Sequence, residues 1–152
     1  MLLLPPTART LYGLDLAQHA GLGLTLLVCD SCDGVIYPHR ELCSRCLGDA
    51  LNWRIVGSSG TVLAETTLAR SFDEWFAARL PWMLVSVHLQ VGVTLICHAH
   101  PDIRICKNEK AAEVSVQVCL DAGGSGILVA MPKTVLEKKF ETLDAALKWR
   151  VA

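Results

Sequence analysis

A chain of 152 residues, 52% hydrophobic and 19% charged, suits one ordinary domain with a small appendage and is too apolar for disorder. Its formal net charge of −1 supplies no basic field, which argues against a protein that lives on phosphate backbones. The seven cysteines are an odd number, and the spacing of four of them carries the most information in the chain.

The N-terminus opens Met1-Leu2-Leu3-Leu4 and meets Pro5-Pro6 at once, without a basic lead or a long apolar run. Neither this start nor the apolar stretch 20–29 reaches the roughly 20 residues of a membrane span, so a soluble chain is expected. Leu11, Leu14 and Ala17 recur at helical spacing, and Gly21 and Gly23 end the pattern. This predicts a short helix within an N-terminal segment, residues 1–23.

Residues 24–52 read as a metal module, entered by a strand from Leu24 to Val28. Cys29 and Cys32 form one Cys-x-x-Cys pair, Cys43 and Cys46 a second, with ten residues between the pairs. Such a pair makes a tight turn with both sulfurs aimed at one centre, and two turns complete a tetrahedral thiolate cage. Zn²⁺ is the usual occupant of a closed four-thiolate site, where its role is structural because no position is open to substrate. Iron in the same cage, four buried thiols and two disulfides are the alternatives. Asp33 follows the second cysteine, where a left-handed residue is often wanted and Asp tolerates it. Leu47 holds the matching place in the second turn and is less comfortable, so a slight irregularity is expected there. Arg40 and Arg45 either offset the charge of the cage or are ordinary solvated arginines. Cys97, Cys106 and Cys119 fall in or beside apolar stretches and read as reduced thiols, which implies a reducing, cytoplasmic setting.

From Trp53 the texture turns to β, over residues 53–132. Trp53 to Val56, Thr61 to Leu68, Met83 to Leu89, Val93 to His98, Glu113 to Leu120 and Ile127 to Met131 read as strands. Tight turns at 57–60, 90–92 and 121–126 join them, giving the signature of a small barrel; strand counting does not separate an OB-fold from other small barrels. Residues 133–152 are predicted helical. Thr134 and Glu137 fit a capping box, and Leu136, Phe140, Leu143 and Leu147 line one face.

Several stretches carry a family resemblance. Residues 28–40, with Cys29-Asp30-Ser31-Cys32 and Tyr37-Pro38, Cys43-Ser44-Arg45-Cys46, Trp53 through Gly60-Thr61-Val62, and Pro81 to Leu89 together resemble the acyl-CoA-associated OB-fold proteins with a rubredoxin-like zinc ribbon, domain of unknown function thirty-five. The chain departs from that pattern at His39 and Ser44, where relatives carry proline, at Gln90-Val91, and around Lys110-Ala111-Ala112, where a glycine is expected. The resemblance spans roughly residues 10 to 132. It implies a mainly β fold: N-terminal helix, zinc ribbon, small OB-fold barrel and C-terminal helix. It also implies a non-catalytic accessory subunit, forming a hetero-oligomer with a thiolase-like condensing enzyme, acyltransferase or aldolase. Such subunits stabilise the partner and help form its CoA or acyl channel, with acyl-CoA as a candidate ligand at the partner interface.

Other residues admit sharper and blander readings. His98 and His100 lie two apart on one strand and so share a face; with Cys106 they could form a second metal site, but two ordinary strand-end histidines are the favoured reading. Phe72, Trp75, Phe76 and Trp82 cluster in one loop and either cap a barrel end or form an exposed docking patch. Glu65, Asp73, Glu74 and Asp102 carry no catalytic pattern and read as solvated. No nucleophile elbow, phosphate loop or dinucleotide fingerprint is present, so no catalytic residue is expected. The competing functional class is a nucleic-acid-binding OB module with a zinc ribbon, which would need a basic groove beside its stacking aromatics.

Overall fold

The computed structural model describes residues 15–38, 40–103, 112–135 and 138–150. Expectations resting on His39, Cys106, Leu136, Glu137 and most of the N-terminal helix lie outside these residues; residues 15–17 are helical.

Three strands build the ribbon: β1 (Thr25–Cys29), β2 (Val35–Ile36) and β3 (Leu51–Ile55), in the antiparallel order β2-β1-β3. Five more close into a barrel: β4 (Ser59–Leu68), β5 (Trp82–Leu89), β6 (Thr94–Ala99), β7 (Glu113–Leu120) and β8 (Gly126–Pro132). Their order is β4-β5-β6-β8-β7, and β6 with β8 is the parallel pair among antiparallel neighbours. This is the five-stranded Greek-key closure of an OB-fold.

Alternation along the strands decides what the barrel holds. Val85, Val87 and Leu89 on β5, Leu95, Cys97 and Ala99 on β6, Val114, Val116 and Val118 on β7, and Leu128 and Ala130 on β8 fill the interior. Gly60 is the second residue of β4, where a Cβ would stand 2.6 Å from Val87 Cγ1 and 2.9 Å from the His88 carbonyl oxygen, so no larger residue fits the corner. The interior also takes residues from outside the barrel. Leu24 and Leu26 of the ribbon and Leu16 of the N-terminal turn belong to the same core. Tyr37 Oη accepts from the Ile96 N–H at 3.5 Å, above the short stretch where β6 pairs with β8 at His98 and Ala99. His19 packs its ring on Trp53 at 5.0 Å, tying the N-terminal turn to β3.

A second apolar cluster lies on the outer face of the same strands. Trp82, Cys119, Val129 and Met131 point outward and are covered by Trp75, Phe76, Phe140, Leu143, Ala146 and Trp149. The helix α1 (Glu74–Ala77) supplies part of the cover; Asp73 Oδ1 caps it by accepting from Trp75 N at 2.9 Å and Phe76 N at 3.3 Å. The C-terminal segment supplies the rest, but not as one helix from Thr134. Lys133–Val135 is a 3₁₀ turn, and residues 138–140 run irregularly beside β7. Gln117 explains the change: its amide donates to Lys138 O at 2.6 Å and accepts from Phe140 N at 3.0 Å, while Leu120 N donates to Glu141 O at 2.7 Å. Those bonds displace a helical ladder, and α2 (Leu143–Lys148) starts later, with Thr142 Oγ1 as its cap at 3.2 Å from Ala145 N. No described helix is long and apolar enough to cross a membrane.

Gly126 opens β8 directly beneath the N-terminal turn. A Cβ there would sit 2.5 Å from Ala17 N and 2.6 Å from Leu16 C, both backbone atoms. Gly126→Ala is therefore expected to lift Leu16 from the core and cost about 1–3 kcal/mol. Gly123→Ala, which meets nothing closer than 3.5 Å, should stay within about 0.5 kcal/mol of wild type. Urea midpoints of the two variants measure the difference.

Candidate functional site

The two Cys-x-x-Cys turns have the same backbone. In the first, Cys29 N donates to Gly34 O at 3.0 Å and Asp33 N to Cys29 O at 2.8 Å; in the second, Cys43 N donates to Gly48 O at 2.8 Å and Leu47 N to Cys43 O at 2.9 Å. Asp33 and Leu47 both take left-handed φ, 57° and 62°. The irregularity expected at Leu47 does not occur; the turn keeps its shape and the leucine bears strain of order 1–3 kcal/mol. Asp33 is of a type that tolerates this conformation, and Arg54 donates to its carboxylate at 3.4 Å and also binds Asp30.

These turns bring the four sulfurs within 4.8 Å of one another, with Cys29 and Cys46 at 3.5 Å and Cys32 and Cys43 at 3.6 Å. Sulfurs about 2.3 Å from a tetrahedral zinc stand about 3.8 Å apart, so the donor set fits Zn²⁺. Disulfides, with sulfurs about 2 Å apart, are not formed, and all four cysteines are free. Backbone donors already favour thiolate: Arg45 N and Gly48 N point at Cys43 Sγ and Cys46 Sγ, each at 3.4 Å. The N–H groups of Cys46 and Arg45 pull the Cys43 thiol down to about 6. Cys29 is lowered too, by the N–H of Cys32 above all. Cys32 is pushed up to about 12, its Gly34 N–H outweighed by Cys43 and the other sulfurs around it. Cys46 is likewise raised, despite the Gly48 N–H, because Cys29 stands beside it. Such a group ionises fully when a dication sits among its sulfurs. Among the described residues this is the one cluster of metal-donor side chains.

The histidines are placed on one face, as the alternation requires, and each ring is committed to the fold. His98 Nδ1 accepts from Trp82 Nε1 at 2.9 Å, which puts its proton on Nε2, and Phe76 stacks on the ring at 5.4 Å. His100 Nδ1 accepts from Asp102 N at 3.0 Å while Nε2 donates to Trp149 O at 2.9 Å. Both free lone pairs are thus occupied, and neither histidine offers a nitrogen to a second metal. The aromatic loop divides. Trp75, Phe76 and Trp82 form an edge-to-face cluster with centroids 4.9–5.8 Å apart, with Arg79 stacked 3.7 Å over Trp75. Phe72 is fully exposed. Asp73 caps α1, and Glu65 and Glu74 face solvent without gathering around any nucleophile. The pairing of Trp82 with His98 was missed in the sequence. Its signal was the hairpin register, in which Leu84 opposes His98 and sets Trp82 diagonally beside it on the outward face.

Residues 23–52 match the model of the ChsH2 rubredoxin-like zinc ribbon family. The whole fold is similar to a chain described as "Ltp2-ChsH2(DUF35) aldolase", with a TM-score of 0.63 and 19% sequence identity, over 85% of this chain and 98% of that one. The family match thus covers the ribbon, and the structural likeness, at 19% identity, covers the fold. No curated protein matches the chain in sequence. In this chain the ribbon precedes the barrel, and the second apolar cluster closes over the barrel's outer face.

Burial lowers the proton affinity of both His98 and His100 below the ordinary histidine value of 6.5. The unfolded chain therefore binds more protons than the folded one as pH falls below about 6.5, and stability present above that pH is progressively lost below it. Denaturant midpoints measured from pH 8 to pH 5 should fall on the acid side. His98→Gln, which removes one titrating ring, should flatten that slope.

Proposed function

We propose that this chain is a non-catalytic, zinc-binding accessory subunit of a thiolase-like enzyme acting on acyl-CoA thioesters. The partner is a thiolase, an acyltransferase or an aldolase, and the subunit stabilises it and helps shape its CoA and acyl channel. The observation that carries this reading is the fold match to a chain of the Ltp2-ChsH2(DUF35) aldolase along nearly its full length, joined to the ribbon match at residues 23–52. The zinc held by Cys29, Cys32, Cys43 and Cys46 is structural in this reading, since four thiolates leave no coordination position for substrate. The candidate acids and bases support it as well, because His98, His100 and Asp73 are engaged in holding the fold. Trp75, Phe76 and Trp82, the aromatics a strand-binding OB module would use for stacking, pack into the second cluster instead. That weighs against the nucleic-acid alternative. Buried, free Cys97 and Cys119 favour a reducing, cytoplasmic location.

Co-expression with a thiolase-like protein encoded beside this chain should give a complex that co-elutes, with no thioester turnover by the accessory chain alone. A lone monomer with no affinity for such a protein, or hydrolysis by the isolated chain, overturns the reading. Metal analysis should find about one zinc per chain. Cys43→Ser should lose it and melt at lower temperature in a single transition, because β1 belongs to both cores. An unchanged melting temperature would remove the metal from the account of stability.

A further inference from the structure

We infer that the open edge of β4 pairs with the same edge of a second copy of this chain, joining two barrels through one continuous antiparallel sheet. The inference does not depend on the enzyme partner. β4 has neighbours on both sides only at its start. β7 pairs with it from Ser59 to Thr61, and the Val62 N–H donates to Ala112 O at 2.9 Å. A bulge follows between Val62 and Ala64, and from Ala64 to Leu68 the strand pairs with β5 alone among the described residues. Ala64, Glu65, Thr66 and Thr67 are exposed.

The ladder decides which backbone groups face the open side. The Leu89 N–H donates to Val93 O at 2.9 Å, so alternation also aims Val87 and Val85 at β6. Leu84 and Ser86 therefore aim at β4, where they oppose Thr66 and Ala64. Glu65 and Thr67 turn their N–H and C=O groups the other way. Such a row is a template for another strand, and the usual protection is missing, since residues 64–68 include neither proline nor lysine. A two-fold axis normal to the sheet keeps every residue on its own face, so it passes through a single residue. An axis through Glu65 would set two carboxylates against each other. An axis through Thr66, the centre of residues 64–68, opposes threonine to threonine, Ala64 to Leu68, and Glu65 to Thr67. The outward groups of Glu65 and Thr67 then exchange both bonds on each side of the axis. This self-complementarity selects a second copy as the occupant, in an isologous contact that closes on itself.

The test uses the full, zinc-loaded chain. Light scattering should show a dimer that dissociates on dilution. Thr66→Lys places like charges on the axis and leaves the β5 ladder intact, so it should be a folded monomer by circular dichroism and scattering. Thr66→Cys should form a covalent dimer under mild oxidation, because opposed residues of a non-bonded pair stand about 4.5 Å apart at Cα. Thr67→Cys, whose copies stand more than about 7 Å apart in this register, should cross-link no faster than wild type. A wild-type chain that is monomeric at every concentration overturns the pairing, as does a dimer that survives Thr66→Lys or equal cross-linking of the two cysteine variants. A monomer whose complex with the enzyme subunit is lost in Thr66→Lys gives the edge to a strand of that subunit, and overturns it too.

Discussion

Strand β1 is buried on both faces, and the rest of the molecule depends on that. Leu24 and Leu26 flank and enter it from the barrel side, within the core that Val87, Leu95 and Val116 complete. On the opposite face Leu27 and Cys29 join Ile36 and Cys43 in the small cluster around the four sulfurs. The ribbon has few apolar residues of its own in this cluster, so a dication held by the four sulfurs would supply the free energy that orders it. Because Leu26 of the same strand, with Leu24 just before it, belongs to the barrel core, that free energy would not be confined to the ribbon. It reaches the barrel through the strand that both cores share.

The barrel's other side follows a different logic. The outer face of β7, β8 and the start of β5 is covered by side chains from the chain itself. The first strand-to-strand loop contributes Trp75 and Phe76, and the C-terminal segment contributes Phe140, Leu143 and Trp149. Placing polar groups under such a cover requires that each be paired. The histidines satisfy this by accepting at Nδ1 and holding a proton on Nε2. Gln117 does so by using both ends of its amide on the backbone of the covering segment. Thr25 Oγ1 is the exception among the described residues, a buried hydroxyl without a partner.

Much of this was legible in the sequence wherever local chemistry decides structure. The Cys-x-x-Cys spacing dictates where the sulfurs meet, and the strands of the barrel alternate as they must to fill it. Gly60, expected at the end of a turn, lies instead inside β4, at a corner that Val87 and His88 close to any side chain. Two features were not legible. The C-terminal helix starts at Leu143 rather than near Thr134 because Gln117, on a strand far away in sequence, takes the backbone of Lys138 and Phe140. Helical periodicity cannot register a competitor of that kind. The aromatic loop was likewise undecidable locally, since Phe72 and Phe76 differ in burial only through what Trp82 and His98 place beneath one of them.

Exposed apolar groups alone would not locate a partner. Phe72, Leu63 and Ile96 all face solvent, and single apolar side chains do so on most protein surfaces. Phe72 even occupies the position before the cap of α1 from which a hydrophobic residue often packs back on the helix, yet it points away. Exposure there has no backbone cost attached and so carries little weight. Leu47 is exposed as well, and its left-handed conformation belongs to the turn, whose twin at Asp33 has the same hydrogen bonds and nearly the same φ. Both turns take that conformation because it aims the two sulfurs of each pair at one centre, so even the leucine's place is set by the cage.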